Sequence, residues 1–215
     1  MTPQKPFKHF VIFDLETTGL SPRYGDRMIE IAALKVNVPL RRVSDGKGWA
    51  LNLNALCPGE RFSSLLNVDQ AISYEAYQVN GITAGMLKTA PRADEILPEF
   101  LKFINQGCLI GHNVRFDLGF LTNELSLAGL MLEATHFLDT VRLARRVLPE
   151  LRRYSLFNLA HALGVGRAQE HRAMSDVELT YDVFRNLLNV ADRQDICTVE
   201  ELIDVCGGRY CGCEK

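Results

Sequence analysis

Apolar and polar positions along the chain follow two regimes, and the change comes at Pro58. Before it, Phe10-Val-Ile-Phe-Asp-Leu-Glu16 is a run of aromatic and β-branched residues stopped by Thr17-Thr18-Gly19 and Pro22, which predicts a strand ending in a turn. Ile29–Val38 predicts a second strand, and Trp49–Leu56, with its alternating Leu and Asn, a third. An Asp-Gly pair inside Val43–Gly48 marks a hairpin loop. No helix fits between these strands, so they pair as an antiparallel meander. Beyond Pro58, apolar residues recur at three- and four-residue spacing over Ala71–Val79, Ala93–Ile104, Arg115–Leu130, Asp139–Leu148, Ser155–Leu163 and Ala173–Ala191, the mark of amphipathic helices. Cys108–Gly111 and His136–Asp139 are brief runs that each feed a helix, and they supply the parallel part of the sheet. The expected fold is α/β: a five-stranded mixed sheet, its order beginning 3-2-1, with helices on both faces. Phe7 to about Ala191 reads as one domain. Residues 192–215 read as an added helix over Thr198–Val205, opened by a cap-like Thr-Val-Glu-Glu, and a Cys-containing tail.

Composition adds exclusions. The chain has 215 residues, 47% of them hydrophobic and 23% charged, the proportions of an ordinary globular domain. No stretch approaches the roughly 18 consecutive apolar residues of a membrane helix, and Met1–Lys8 has no signal-like apolar run, so no membrane association and a cytoplasmic location are expected. A net charge of −2 argues against nucleic-acid binding through bulk charge, so any such contact is local. The best local candidate is Arg142, Arg145, Arg146, Arg152 and Arg153, opposed only by Glu150; Arg167 and Arg172 extend it. The six cysteines are too scattered for a disulfide framework, and the Cys206…Cys211-Gly-Cys213 segment lacks a C-x-x-C knuckle, so it reads as a frayed tail rather than a zinc site.

Four acids and one histidine carry the candidate chemistry. Asp14 and Glu16 are two apart on a strand, so their carboxylates share one face while Phe13 and Leu15 take the other. Two acids that interrupt a buried strand repel each other and need a cation. Asp117 stands early on one helix and Asp176 at the opening of another, where each also suits the helix dipole. On a continuous helix His171 would lie about 140° from Asp176, so a shared site requires His171 to sit on the turn before it.

The order Asp14-Leu-Glu16-Thr-Thr-Gly-Leu20, then Gly111-His-Asn113 with Phe116-Asp117, then His171 with Asp176 resembles the three motifs of the DEDDh, or DnaQ-like, 3′→5′ exonucleases. Their epsilon-type members, the proofreading subunits of bacterial DNA polymerase III, are the nearest in look. Val79-Asn80-Gly81-Ile82-Thr83 and Leu138-Asp139-Thr140 extend the likeness, which covers about Lys8 to Ala191. The resemblance implies a ribonuclease H-like fold and a metal-dependent 3′→5′ exonuclease releasing nucleoside 5′-monophosphates from single-stranded or frayed 3′ ends, DNA preferred, with a DNA polymerase as possible partner. It implies two divalent ions, Mg²⁺ or Mn²⁺: Asp14, Glu16 and Asp176 hold one, Asp14 bridges to the second, and Asp117 supports that one through water. His171 takes the proton of the attacking water, a role suited to a side chain whose ordinary pKa lies near 6.5. Leu15, Thr17, Leu20, Asn80, Asn113 and Phe116 meet the substrate, Leu20 as a wedge against the last base. Asn80 departs from the usual His beside the terminal sugar. The same motif set also serves ribonucleases, and the choice turns on the 2′-OH. A non-catalytic binding scaffold on this fold would have no use for repelling carboxylates.

Overall fold

A computed structural model of the chain describes residues 5–43 and 48–211. Its strands are β1 (His9–Thr17), β2 (Met28–Asn37), β3 (Leu40–Arg42), β4 (Trp49–Leu51), β5 (Cys57–Leu65), β6 (Gly107–Gly111), β7 (Thr135–Asp139) and β8 (Gly207–Tyr210). The helices are α1 (Tyr74–Asn80), α2 (Ala84–Lys88), α3 (Ala93–Ile104), α4 (Val114–Leu127), α5 (Thr140–Val147), α6 (Leu156–Ala162), α7 (Ala173–Asp192) and α8 (Val199–Cys206). The main sheet runs β5-β2-β1-β6-β7-β8. The pairs β5–β2–β1 and β7–β8 are antiparallel, whereas β1–β6–β7 is parallel. Among the described residues no helix is long and apolar enough to cross a membrane.

Alternation along β1 builds two cores. Phe10 and Ile12 pack with Val177, Phe184 and Leu187 of α7 and with residues of α5, α6 and α8. The rings of Phe10 and Phe184 meet edge-on at 5.5 Å, a favoured arrangement of aromatic quadrupoles. Val11, Phe13 and Leu15 point the other way, into Leu97 and Phe100 of α3 and Leu118 and Leu121 of α4. Asp14 and Glu16 continue the α7 side of the strand, where the apolar run gives out.

The structure departs from the expected fold at both edges of the sheet. The third strand of the meander is β5, whereas Trp49–Leu51 pairs with Leu40–Arg42 in a separate two-stranded sheet. β5 escapes the pattern because it is an edge strand with most residues exposed, and Pro58 is tolerated there because an edge strand has one side without ladder bonds. The Asp-Gly pair at 45–46 lies outside the described residues; the bond Val43 N–H to Gly48 O, 3.1 Å, closes the segment around it. At the opposite edge β8 makes a sixth strand, so the described part of the tail is not frayed. It is reached through α8, whose Thr198 and Glu201 form a reciprocal capping box, and Val199, Leu202 and Cys206 enter the α7-side core. The Cys206 thiol is buried, donates to Leu202 O at 3.2 Å and has its pKa pushed up to about 12 by burial, so it packs as an apolar group in this core. Cys213 lies outside the described residues.

Candidate active site

The C-terminal ends of the parallel strands β1, β6 and β7 lie side by side, and each feeds a residue into one region. β1 ends at Asp14 and Glu16, and a bulge between Glu16 and Thr17 turns the chain out of the sheet. The next loop is tightly tied: Thr18 N–H donates to Arg27 O at 2.9 Å, the Thr17 hydroxyl to Gly19 O at 2.6 Å, and Ser73 N–H to Thr18 O at 3.1 Å. The last bond seats α1 beside the strand end. β6 ends at Gly111, after which Asn113 adopts a left-handed φ of 64° and starts α4, placing the buried Asp117 in its first turn. β7 ends at Asp139, which caps α5 and also accepts from Asn113 N–H at 3.3 Å, locking the two loops together. From the other side α7 delivers Asp176.

Carboxylate oxygens of Asp14, Glu16 and Asp176 come within 4.8 Å of one another. Burial raises Asp14 well above the ordinary carboxylate range, and the neighbouring Asp117, Glu16, Asp176 and Glu30 raise it further. Burial likewise raises Glu16, to about 8, against the opposing pull of an Asn80 hydrogen bond. Asp117 is raised by burial although the N–H groups of Asp117 itself and Leu15 favour its charged form. Asp176 is raised by burial and held back chiefly by Gln169, whose Nε2 donates to Oδ2 at 3.1 Å. Asp176 Oδ1 is buried with no hydrogen-bond partner, and no ion pair among the described residues reaches Asp14 or Glu16. A buried polar atom without a partner is rare and costly, and three hard oxygens at this spacing suit a divalent cation. The donor set therefore fits a metal.

His171 stands on the turn before α7, as a shared site requires, with a left-handed φ of 53°. Its Nδ1 is 3.9 Å from Asp176 Oδ2, and the side chain is 47% exposed. Leu20 is 84% exposed and so does not pack beneath the turn. Phe116 is half-buried, its ring 5.0 Å from that of Phe120, and Asn113 is exposed. Two expected substrate contacts look different in three dimensions. The Leu15 side chain belongs to the α4-side core, which leaves only its backbone facing the site. Asn80 is buried, with Oδ1 accepting from Ile82 N–H at 3.0 Å and Nδ2 turned to Thr17 O at 3.5 Å and to Glu16. It holds the ends of motif one and α1 together.

The basic residues also sort themselves. Arg167 is bound to Glu178 at 2.7 Å and Asp182 at 3.3 Å. Arg172 is bound bidentately to Glu30 at 2.7 and 3.1 Å, and Arg142 donates to Gly207 O at 2.8 Å. These three are tied to protein partners and do not extend a phosphate track. Arg145, Arg146, Arg152 and Arg153 are exposed.

Sequence reasoning missed Glu30, Glu124 and Gln169. Glu124 is fully buried and accepts two bonds from Arg27, at 2.7 and 2.8 Å, and one from Met28 N–H at 3.2 Å, the pairing that a buried charge requires. Glu30 had the same visible signal as Asp14, a lone acid inside an apolar strand, Ile29-Glu30-Ile31.

Known proteins resemble this chain in sequence and in fold. The sequence model of the exonuclease family matches residues 11–184. The DNA polymerase III subunit epsilon of Rickettsia typhi is 36% identical over 180 residues, covering 81% of this chain and 71% of its own. A DNA polymerase III PolC-type from Caldanaerobacter subterraneus subsp. tengcongensis is 33% identical over 196 residues, 91% of this chain, but the match spans only 13% of that relative. Exonuclease X, solved in complex with 5′ overhanging duplex DNA, superposes with a TM-score of 0.64 at 22% identity, over 91% of this chain and 98% of its own, and shares the ribonuclease H-like fold. Fold, motif order and sequence kinship agree: the chain belongs to the DnaQ-like exonuclease family.

Proposed function

We propose that this chain hydrolyses DNA from the 3′ end, on single-stranded or frayed termini, and releases nucleoside 5′-monophosphates. The observation that carries the reading is the convergence of Asp14, Glu16 and Asp176 within 4.8 Å around an unpartnered Asp176 Oδ1, with His171 beside them. Asp14, Glu16, Asp117 and Asp176 would hold two divalent ions, Mg²⁺ or Mn²⁺. Such ions, when bound, supply Lewis-acid charge that makes water nucleophilic at neutral pH and offsets charge on the attacking and leaving oxygens. The chain's own groups do the rest. His171 turns Nδ1 toward Asp176, which leaves Nε2 to take the proton of the attacking water. Gln169 and the buried setting fix the Asp176 carboxylate, and Asn80 fixes Glu16.

Unpaired ends suit the exposed side chains of the two segments that adjoin the end of β1. Leu20, Tyr24, Tyr74 and Tyr77 are exposed on two segments joined by the Ser73–Thr18 bond, and flat or apolar side chains of this kind stack on bases regardless of sequence. The polymerase III relatives and the DNA-bound neighbour favour DNA over RNA and a polymerase as partner. Purified protein given matched 5′-labelled DNA and RNA oligonucleotides should produce a ladder that shortens from the 3′ end, faster on DNA, and stops in EDTA. Release of the 5′ label in the first product without a ladder, or full activity in excess EDTA, overturns the reading.

The exposed arginines carry a separate expectation. Replacing Arg145 and Arg146 together by Ala should raise KM and flatten its salt dependence with little change in kcat, because phosphate contacts made equally in ground and transition states contribute uniform binding. An unchanged salt slope would assign them to a solvated helix face.

A further inference from the structure

Helix α7, which carries Asp176, begins without a local cap. Its N-cap residue is Arg172, whose side chain makes no capping bond, where Ser, Thr, Asp or Asn is the usual choice. The turn before it is unfavourable as well, since His171 holds a left-handed φ of 53° that a residue with a Cβ rarely adopts. The missing cap is supplied from strand β2. Glu30, 4% exposed, accepts from Ala173 N–H at 3.1 Å through Oε2, so a carboxylate distant in sequence caps the helix and lies at its positive end. The same carboxylate takes two bonds from Arg172, at 2.7 and 3.1 Å, a fork geometry that fixes the guanidinium plane. Glu30 is paired in register with Glu16 on β1. One side chain thus joins the strand pair that carries Asp14 and Glu16 to the turn that carries His171.

We infer that Glu30 and Arg172 form a positioning clamp, a cap supplied from another element together with a bidentate ion pair, that sets His171 and the first turn of α7 relative to the Asp14–Glu16 strand. The clamp's hydrogen bonds run between its two side chains and to Ala173 N–H, not to Asp14, Glu16 or His171, so beyond the charge it shares with its neighbours Asp14 and Glu16 it acts by positioning His171 and Asp176. It rests on the exonuclease reading above only for its kinetic consequence. It also reassigns Arg172, which the sequence offers as a phosphate contact.

Arg172→Ala and Glu30→Gln are compared with wild type on single-stranded DNA in Mn²⁺. In both variants kcat should fall about 10- to 100-fold, as expected for misplacement of catalytic groups by around an ångström. KM and its salt dependence should stay within about twofold of wild type, because no substrate contact is lost. Arg172→Lys, which keeps the charge but loses the fork, should recover part of kcat. A raised KM with a flatter salt slope and intact kcat makes Arg172 a phosphate contact and overturns the clamp. A lowered Tm with intact kcat well below melting leaves a purely structural pair and overturns it too. Glu30→Gln keeps the side-chain shape and serves where Arg172→Ala does not fold. A crystal structure of Glu30→Gln decides the matter without activity: displacement of His171 from its left-handed turn beside Asp176 supports the clamp, and an unmoved His171 overturns it. A wild type that hydrolyses nothing sinks the exonuclease reading and leaves that structural comparison to judge the clamp.

Discussion

Asp14→Asn is expected to lose about 10⁴-fold in kcat while staying folded, the scale of loss when one member of a group that acts as a unit is removed. Asp14 is the carboxylate closest to all the others in effect: after burial, the charges of Asp117, Glu16, Asp176 and Glu30 all push it upward. Without a cation that repulsion is a cost of the native state. The sign follows from proton linkage. A carboxylate raised in the folded state costs nothing extra below its ordinary pKa of about 4, and the penalty grows with pH until it is complete above the raised value. For Glu16 that upper limit is about 8. Metal-free wild type should therefore lose stability as pH rises from about 4 to about 8, and Mn²⁺ should restore it most strongly at the upper end. Asp14→Asn should show a smaller fall with pH and a smaller Mn²⁺ shift. Thermal melts with and without Mn²⁺ at the two ends of that range check this; an Asp14→Asn protein that is unfolded at both would mark Asp14 as a structural residue.

His171→Ala is expected to lower kcat by about 10²–10⁴-fold, the usual contribution of a positioned proton acceptor. Its role differs from that of every carboxylate around it. His171 lies 3.9 Å from Asp176 and outside the three-carboxylate cluster, so the variant should keep the Mn²⁺ affinity and the single-stranded DNA affinity of wild type. Asp176→Ala supplies the contrast, because it removes a cluster oxygen and should lose Mn²⁺ affinity along with activity. Measuring kcat and metal binding on both variants separates the roles. If His171→Ala loses Mn²⁺ as Asp176→Ala does, His171 is a ligand or a prop, and the proton acceptor lies elsewhere.

The linear pattern alone was enough for β1 and its consequences. A period of two puts Asp14 and Glu16 on one face of an otherwise apolar strand, and that local rule holds wherever the strand lies. The start of α7 and the need for His171 to precede it were likewise fixed by helical geometry, and the cap of α8 by four consecutive residues. Edge strands were not legible. β5 and β8 each bury little, so no alternation marks them, and their pairing depends on which neighbours the sheet leaves open. Arg172 and Arg167 looked like free cations because charge patterning sees only neighbours in sequence, whereas Glu30 lies 142 residues from Arg172 and meets it only through folding. The same limit hid the jobs of Asn80 and Glu124. Sequence determined which residues can ionise or coordinate and which face each takes on its own element. Tertiary structure alone decided which charges are neutralised by a partner and which, as at Asp14 and Glu16, remain close to other acids without one, because pairing energies depend on distance and burial rather than on order along the chain.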